Sequence, residues 1–406
     1  MQAAPDTPHG AVAGRAQRVL RSLLASLGGA VIIVAALGVA GVFLPQVPIL
    51  GTLGSSIWAG MAAPGAVVTL VASVLTFVAF RLGARRTGAV LTILGVIATV
   101  GSGVIVGSQV VVGIENGVTS NPVAAILPGG YEEGTPDEVV EYATDDNGTA
   151  LTLDIYRPVG SADELAPVVL YVHGGGWTQG SSRSQAANLR WLSEQGYLAL
   201  GVNYTLATAG QPTWDTAIPQ VQCSFAWVGA NAAAYGGDAE RFAVYGESAG
   251  GQLSLTATYA AASGADRPAC EGTLPAVRAV IADVPGVDLF SLYDNTDPIL
   301  GPAAKAYVSA YLGGSPDEYP DRAERASAIT YAGPDSPPTL VLLNMSDHLV
   351  PPRGGENFAA AADLAGVDIE VVRRPWADHT TGLQYHSVTN QVFLGLAERF
   401  LREHGV

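Results

Sequence analysis

Four short stretches of this chain carry the groups that acyl transfer requires: a hydroxyl nucleophile, an imidazole base, a carboxylate to orient it and unobstructed backbone amides. The hydroxyl is Ser248, in Gly246-Glu247-Ser248-Ala249-Gly250-Gly251, between the apolar run Phe242–Tyr245 and a segment with helical spacing. That context predicts a sharp strand-to-helix turn with the hydroxyl exposed above a sheet edge. Gly246 and Gly250 stand where strand and helix would pack too closely for side chains. The N-terminus of the following helix points at the serine, so its dipole and the Ala249 N–H favour negative charge on a bound carbonyl oxygen. His173-Gly174-Gly175-Gly176-Trp177 follows a second apolar run, Val168–Val172. Its consecutive glycines leave amides free to converge on the same point. Gly175 and Gly176 are the expected oxyanion donors beside Ala249, with His173 holding the loop.

Six histidines are available as the base. His9 lies near the N-terminus, His173 belongs to the glycine loop and His404 sits at the C-terminal end, which leaves His348, His379 and His386. Where a serine sits on such a turn the chain order is Ser, acid, His, and Pro375-Trp376-Ala377-Asp378-His379 follows the last apolar run. His379 is the expected base, with His386 outside the site. Asp347, in Ser346-Asp347-His348-Leu349-Val350-Pro351 after the run Thr339–Leu343, is the expected acid. From there a carboxylate can accept the Nδ1 proton and stabilise the imidazolium. Asp378 is too near in sequence to orient its own neighbour, and Asp283 and Glu356 are the alternatives. Trp177, Leu289, Phe290 and Leu292 read as core, with pocket lining as the competing role.

The elements that must position these groups follow from composition. Between Met1 and Gly113 a single acid, Asp6, stands against six arginines, so the remainder carries more than the whole net charge of −16. A field of that sign excludes nucleic acid as a partner of the C-terminal part. Residues 1–21 read as a cytoplasmic tail, disordered to about Gln17. Three apolar spans follow, at 22–44, 57–80 and 88–113. The first is about 35 Å long as a helix and too long for a signal-peptide core. Gly103 and Gly107 have the spacing of close helix contacts, within or between chains. Arginines precede the first span and fill the turn between the second and third, while the loop Pro45–Ser56 has no charge. That places the N-terminus in the cytoplasm and everything after Gly113 outside it. Residues 114–137 read as a tether.

From residue 138 onward apolar runs at Val168–Val172, Tyr197–Val202, Phe242–Tyr245, Val277–Ala282, Thr339–Leu343 and Val367–Val372 alternate with helical segments, after a hairpin at Glu138–Ala143 and Leu151–Tyr156. The pattern predicts an α/β domain with a mostly parallel sheet, interrupted by an insertion at about 286–326. The two cysteines, Cys223 and Cys270, fit no metal spacing. Two buried thiols are one reading, and an extracytoplasmic disulfide is the other.

His-Gly-Gly-Gly-Trp, Gly-Glu-Ser-Ala-Gly-Gly, Ser-Asp-His-Leu-Val-Pro and Ala-Asp-His, in this order, resemble the hormone-sensitive-lipase-like esterases of the α/β-hydrolase superfamily over roughly Glu138 to Val406. The resemblance implies an eight-stranded α/β-hydrolase sheet, carboxylic ester hydrolysis without cofactor or metal, and the roles given above to Ser248, Asp347, His379, Gly175, Gly176 and Ala249. Glu247 stands where that family more often has Asp, and membrane spans replace its N-terminal cap helices. The expected function is a membrane-anchored extracytoplasmic serine esterase acting on a small ester or lipid-like substrate. An acyltransferase of the same fold acting on envelope lipid or glycan, and a catalytically silent binding protein, are the alternatives.

Overall fold

The computed structural model describes residues 8–406 apart from 128, 131–132, 146, 161–163, 266–267 and 380–384, with the side chains of 8–13 outside the description. Among the described residues, three helices are long and apolar enough to cross a membrane: α1 (Pro8–Phe43), α3 (Ala62–Arg81) and α4 (Arg85–Glu115), with the short α2 (Leu50–Leu53) between the first two. α1 starts earlier than the expected span. From Pro8 onward the segment read as tail is helical, because Ala, Arg, Gln and Leu outweigh two glycines and proline is tolerated in a first turn. Residues 1–7 of that tail lie outside the described residues. The second span also begins later than expected, at Ala62. Residues 50–58 form α2 and one π-helical turn that folds back on α1, where Gly41 and Gly54 meet backbone to backbone.

Eight strands follow: β1 (Glu138–Thr144), β2 (Ala150–Tyr156), β3 (Ala166–Val172), β4 (Leu198–Val202), β5 (Gly237–Glu247), β6 (Val277–Asp283), β7 (Thr339–Asn344) and β8 (Ile369–Arg374). They form one sheet in the order β1-β2-β4-β3-β5-β6-β7-β8, antiparallel at β1–β2–β4 and parallel elsewhere. Both faces of the parallel strands are covered, which is why they read as continuous apolar runs. In β3, Val168, Leu170 and Val172 enter one core and Val169 and Tyr171 the other, as the two-residue pleat requires. The helices between strands are α5 (Ala186–Glu194), α6 (Ala217–Asn231) and α7 (Ser248–Ala262). The inserted stretch supplies α8 (Leu289–Tyr293), α9 (Gly301–Leu312) and α10 (Pro320–Arg325), and α11 (Pro352–Leu364) and α12 (Val388–Glu403) complete the layers. Cys223 on α6 is joined to Cys270 by a disulfide, with Cα atoms 5.6 Å apart.

The membrane helices and the sheet domain share a core. Val112 of α4 is buried in the same cluster as Phe393 and Leu396 of α12. The segment expected as a tether is docked for part of its length. Val118 is buried against Gly395, and the Asn121 amide donates to Gln391 Oε1 at 2.7 Å while Gln391 Nε2 donates back to the Asn121 carbonyl at 3.1 Å. Arg190 clamps Asp137 and the Thr135 carbonyl. Scattered apolar side chains with no periodicity, such as Val118 and Ala125, found places on an existing core.

Candidate active site

β5 runs directly into α7, and Ser248, the first residue of α7, has φ 53°. Two close approaches force this geometry. A side chain on Gly246 would run into the Gly250 carbonyl, and one on Gly250 into the Val172 carbonyl of β3. Ser248 Oγ lies 2.8 Å from His379 Nε2, and His379 Nδ1 lies 2.7 Å from Asp347 Oδ2. The other oxygen of Asp347 accepts from the amides of Leu349 at 2.9 Å and Val350 at 2.7 Å, so the carboxylate is fixed in its loop. His379 and Asp347 are both buried. Burial alone would lower the imidazole, but the charge and hydrogen bond of Asp347, helped by Asp378 and Glu247, override it and leave His379 above its ordinary value.

Gly174, Gly175 and Gly176 line the same cavity as Ser248, and Gly175 (φ 103°) and Gly176 (φ 58°) occupy the left-handed region. Ala249 is buried in the first turn of α7, where N–H groups lack intrahelical acceptors. His173 supports the glycine loop from beneath. Its ring stacks on Tyr204 at 4.3 Å, Nδ1 is 2.7 Å from the Gly174 carbonyl, and the Tyr204 hydroxyl donates to the His173 carbonyl at 2.9 Å. Burial pushes this imidazole down to about 4, so it is neutral. Glu247 lines the same cavity, and its carboxylate accepts from Tyr171 Oη at 2.8 Å and Gln185 Nε2 at 2.7 Å.

The cavity above Ser248 is about 420 Å³, and its walls are mixed. Tyr307 from the inserted α9, Tyr245, Phe393 and Leu349 are apolar or aromatic; Gln185, Asn188, Asn390 and the ion-paired Asp283 and Arg374 are polar. Sequence reasoning missed Tyr307, Asn188, Asn390 and Arg374. Only Arg374 left a signal: it ends a strand as one of two adjacent arginines, and alternation turns one of them inward. Arg373 faces out to Glu356 at 3.0 Å, so Glu356, an alternative for the acid, lies outside the site. Asp283, the other alternative, meets Arg374 in the cavity wall. His386 lies beside Tyr385 over a separate hollow. Trp177 is core: buried, stacked on Tyr311 at 4.5 Å and donating to Gln252 Oε1 at 2.9 Å. Leu289 and Leu292 are buried as well, while Phe290 is exposed away from the cavity. A larger hollow of about 840 Å³ beside the disulfide has no histidine in its walls and no serine.

The BD-FAE family model matches residues 153–361, just over half of the chain, a range that includes Ser248 and Asp347 and stops before His379. The chain is 32% identical over 231 residues to the probable carboxylic ester hydrolase LipM of Mycobacterium tuberculosis, covering 56% of this chain and 52% of LipM. It is 32% identical over 236 residues to the esterase LipQ of the same organism, covering 57% and 54%. The chain thus spans about half the length of these relatives. Among solved structures, a fungal esterase from Rhizomucor miehei superposes with TM-score 0.55 at 27% identity, covering 67% of this chain and 86% of that one. With its eight-stranded, mostly parallel sheet and a serine on the strand-to-helix turn, the chain has the α/β-hydrolase fold and belongs to the BD-FAE family.

Proposed function

We propose that this protein is a membrane-anchored extracytoplasmic serine esterase that hydrolyses carboxylic esters through Ser248, His379 and Asp347. The observation that carries this reading is the unbroken hydrogen-bonded line from Ser248 Oγ through both nitrogens of His379 to Asp347, opening into a cavity. Neutral His379 takes the Ser248 proton as Oγ attacks the ester carbonyl, and Asp347 holds the Nδ1 proton and stabilises the imidazolium. The amides of Gly175, Gly176 and Ala249 receive the oxyanion. Collapse expels the alcohol with the proton from Nε2, and water, activated by the same imidazole, then releases the acid from the acyl-serine.

The mixed, partly polar cavity of about 420 Å³ suits short acyl chains and oxygen-bearing esters. Arg374 Nε is buried and has no acceptor among the described residues, which leaves it available to a substrate carbonyl or hydroxyl. The arginine distribution supports the orientation of the membrane helices, and a Cys223–Cys270 disulfide suits an oxidising compartment. The test is turnover of a short-chain nitrophenyl ester by the full-length protein in detergent beside its Ser248→Ala variant. The reading expects the variant to lose at least about 1000-fold in kcat, and equal turnover by both would sink it.

A further inference from the structure

The loops after β7 and β8 each carry an Asp-His dipeptide, Asp347-His348 and Asp378-His379, and the structure pairs them crosswise. Asp347 holds the His379 ring, while Asp378 Oδ2 lies 2.7 Å from His348 Nδ1. Asp378 does more than mirror the first pair. Its Oδ1 accepts from the amides of His379 at 2.6 Å and His348 at 3.0 Å, and its Oδ2 also accepts from Ser56 Oγ at 2.7 Å. Ser56 belongs to the connection between α1 and α3. So one wholly buried carboxylate ties the backbone of the base to the membrane region.

His348 makes a second tie. Its Nε2 lies 3.0 Å from the Pro45 carbonyl, at the end of α1. A carboxylate and a carbonyl only accept, so both ring nitrogens must carry protons and His348 is an imidazolium. Burial opposes that state, but the hydrogen bonds to Asp378 and Pro45 and the charges of Asp378 and Asp297 prevail and raise it to about 9. Further contacts converge on the same loop. Gln109 Nε2 of α4 donates to the Pro375 carbonyl at 2.6 Å. Trp376 packs on Val42, Ala62 and Ile105 and meets Phe43 edge-on at 5.0 Å. Thr52 donates to Asp297 at 2.9 Å, next to Asn295, whose side chain holds the His348 and Leu349 carbonyls. An anchor needs none of these contacts, since a flexible link would tether the domain equally well.

We propose that the membrane region is a structural part of the catalytic centre: the Pro45–Ser56 connection and α4, acting through Asp378 and His348, position the loop that presents His379 to Ser248. Ser56, His348 and Asp378 are then positioning residues, and the inference rests on His379 serving as the base. A base displaced by about 1 Å loses up to about 100-fold in rate, so the connection sets kcat without touching substrate.

The test uses the full-length protein in lipid nanodiscs with a short-chain nitrophenyl ester. Ser56→Ala lowers kcat about 10-fold and His348→Gln up to about 100-fold, with KM nearly unchanged. Ser56→Thr, which keeps the donor, restores the rate. The pH profile supplies a readout that packing alone would not move. Among the described residues, the titratable groups around His348 are Asp378 and His379 on the β8 loop, the adjacent Asp347, and Asp297 of the insertion, and the groups that meet this pair from the membrane side are Ser56 and the Pro45 carbonyl. As pH rises through the His348 value the ring loses one of its two donors, so wild-type kcat falls on an alkaline limb that is absent in His348→Gln. Wild-type kcat and profile in Ser56→Ala and His348→Gln, in a protein that Ser248→Ala inactivates, would overturn the proposal and leave the esterase reading standing. Undiminished turnover by Ser248→Ala would overturn both.

Discussion

Two buried histidines in this protein are driven in opposite directions by what faces them. His173 stacks on an aromatic ring and bonds one backbone carbonyl, so burial wins and it stays neutral as a prop for the glycine loop. His379 meets Asp347, and the carboxylate wins. On the proposed mechanism only the neutral imidazole takes the Ser248 proton, so activity is expected to appear as pH rises through a pKa held above the ordinary 6.5. The acidic limb of kcat/KM should therefore have its midpoint above 6.5, and a midpoint well below that value would contradict the assigned pair. That Ser248, Asp347 and His379 come together was legible because each lies in a short local motif at the end of an apolar run. The crosswise pair was not. The sequence argued that Asp378 is too close to orient the ring beside it; in the structure Asp378 binds the amide of His379 and the ring of His348, a partnership that only two folded loops create.

Among elements, the strand-to-helix turn at Ser248 has the least tolerance. Ser248 adopts a left-handed conformation that costs about 1–3 kcal/mol and is held there by β3, β5 and α7 together. Gly250→Ala would press a methyl group into the Val172 and His173 carbonyls. We expect it to destabilise the domain by about 1–3 kcal/mol and to abolish activity by displacing the glycine loop. Thermal melting beside ester turnover checks both, and a variant with unchanged melting and rate would refute this description of the turn. The parallel strands were readable from their apolar runs because both faces are covered. The docked contacts of Val118, Asn121 and Asp137 and the folded connection at 50–58 were not, because their partners are distant in sequence. Within this chain, nothing among the described residues approaches Gly103 or Gly107 within reach of a methyl group, and the tightest contacts along α4 fall at Gly88, Gly95 and Gly101 instead; contact between chains is the half of the expectation that stays open.

Across the whole molecule, the sheet domain packs directly on the long apolar helices. α4 has 31 residues, about 46 Å of helix against a hydrocarbon core of about 30 Å. The surplus length is where Gln109 and Val112 meet the sheet domain. Charge divides the same way, with arginines at one end of the membrane helices and the acidic domain at the other. Everything proposed above depends on Ser248 being a nucleophile activated by His379. The most direct measurement of this is covalent: full-length protein in detergent is treated with a fluorophosphonate and the adduct is located by peptide mass spectrometry. One adduct per chain is expected, on Ser248, with labelling strongly slowed in His379→Ala. An adduct elsewhere, no adduct, or labelling of His379→Ala at the wild-type rate would contradict it.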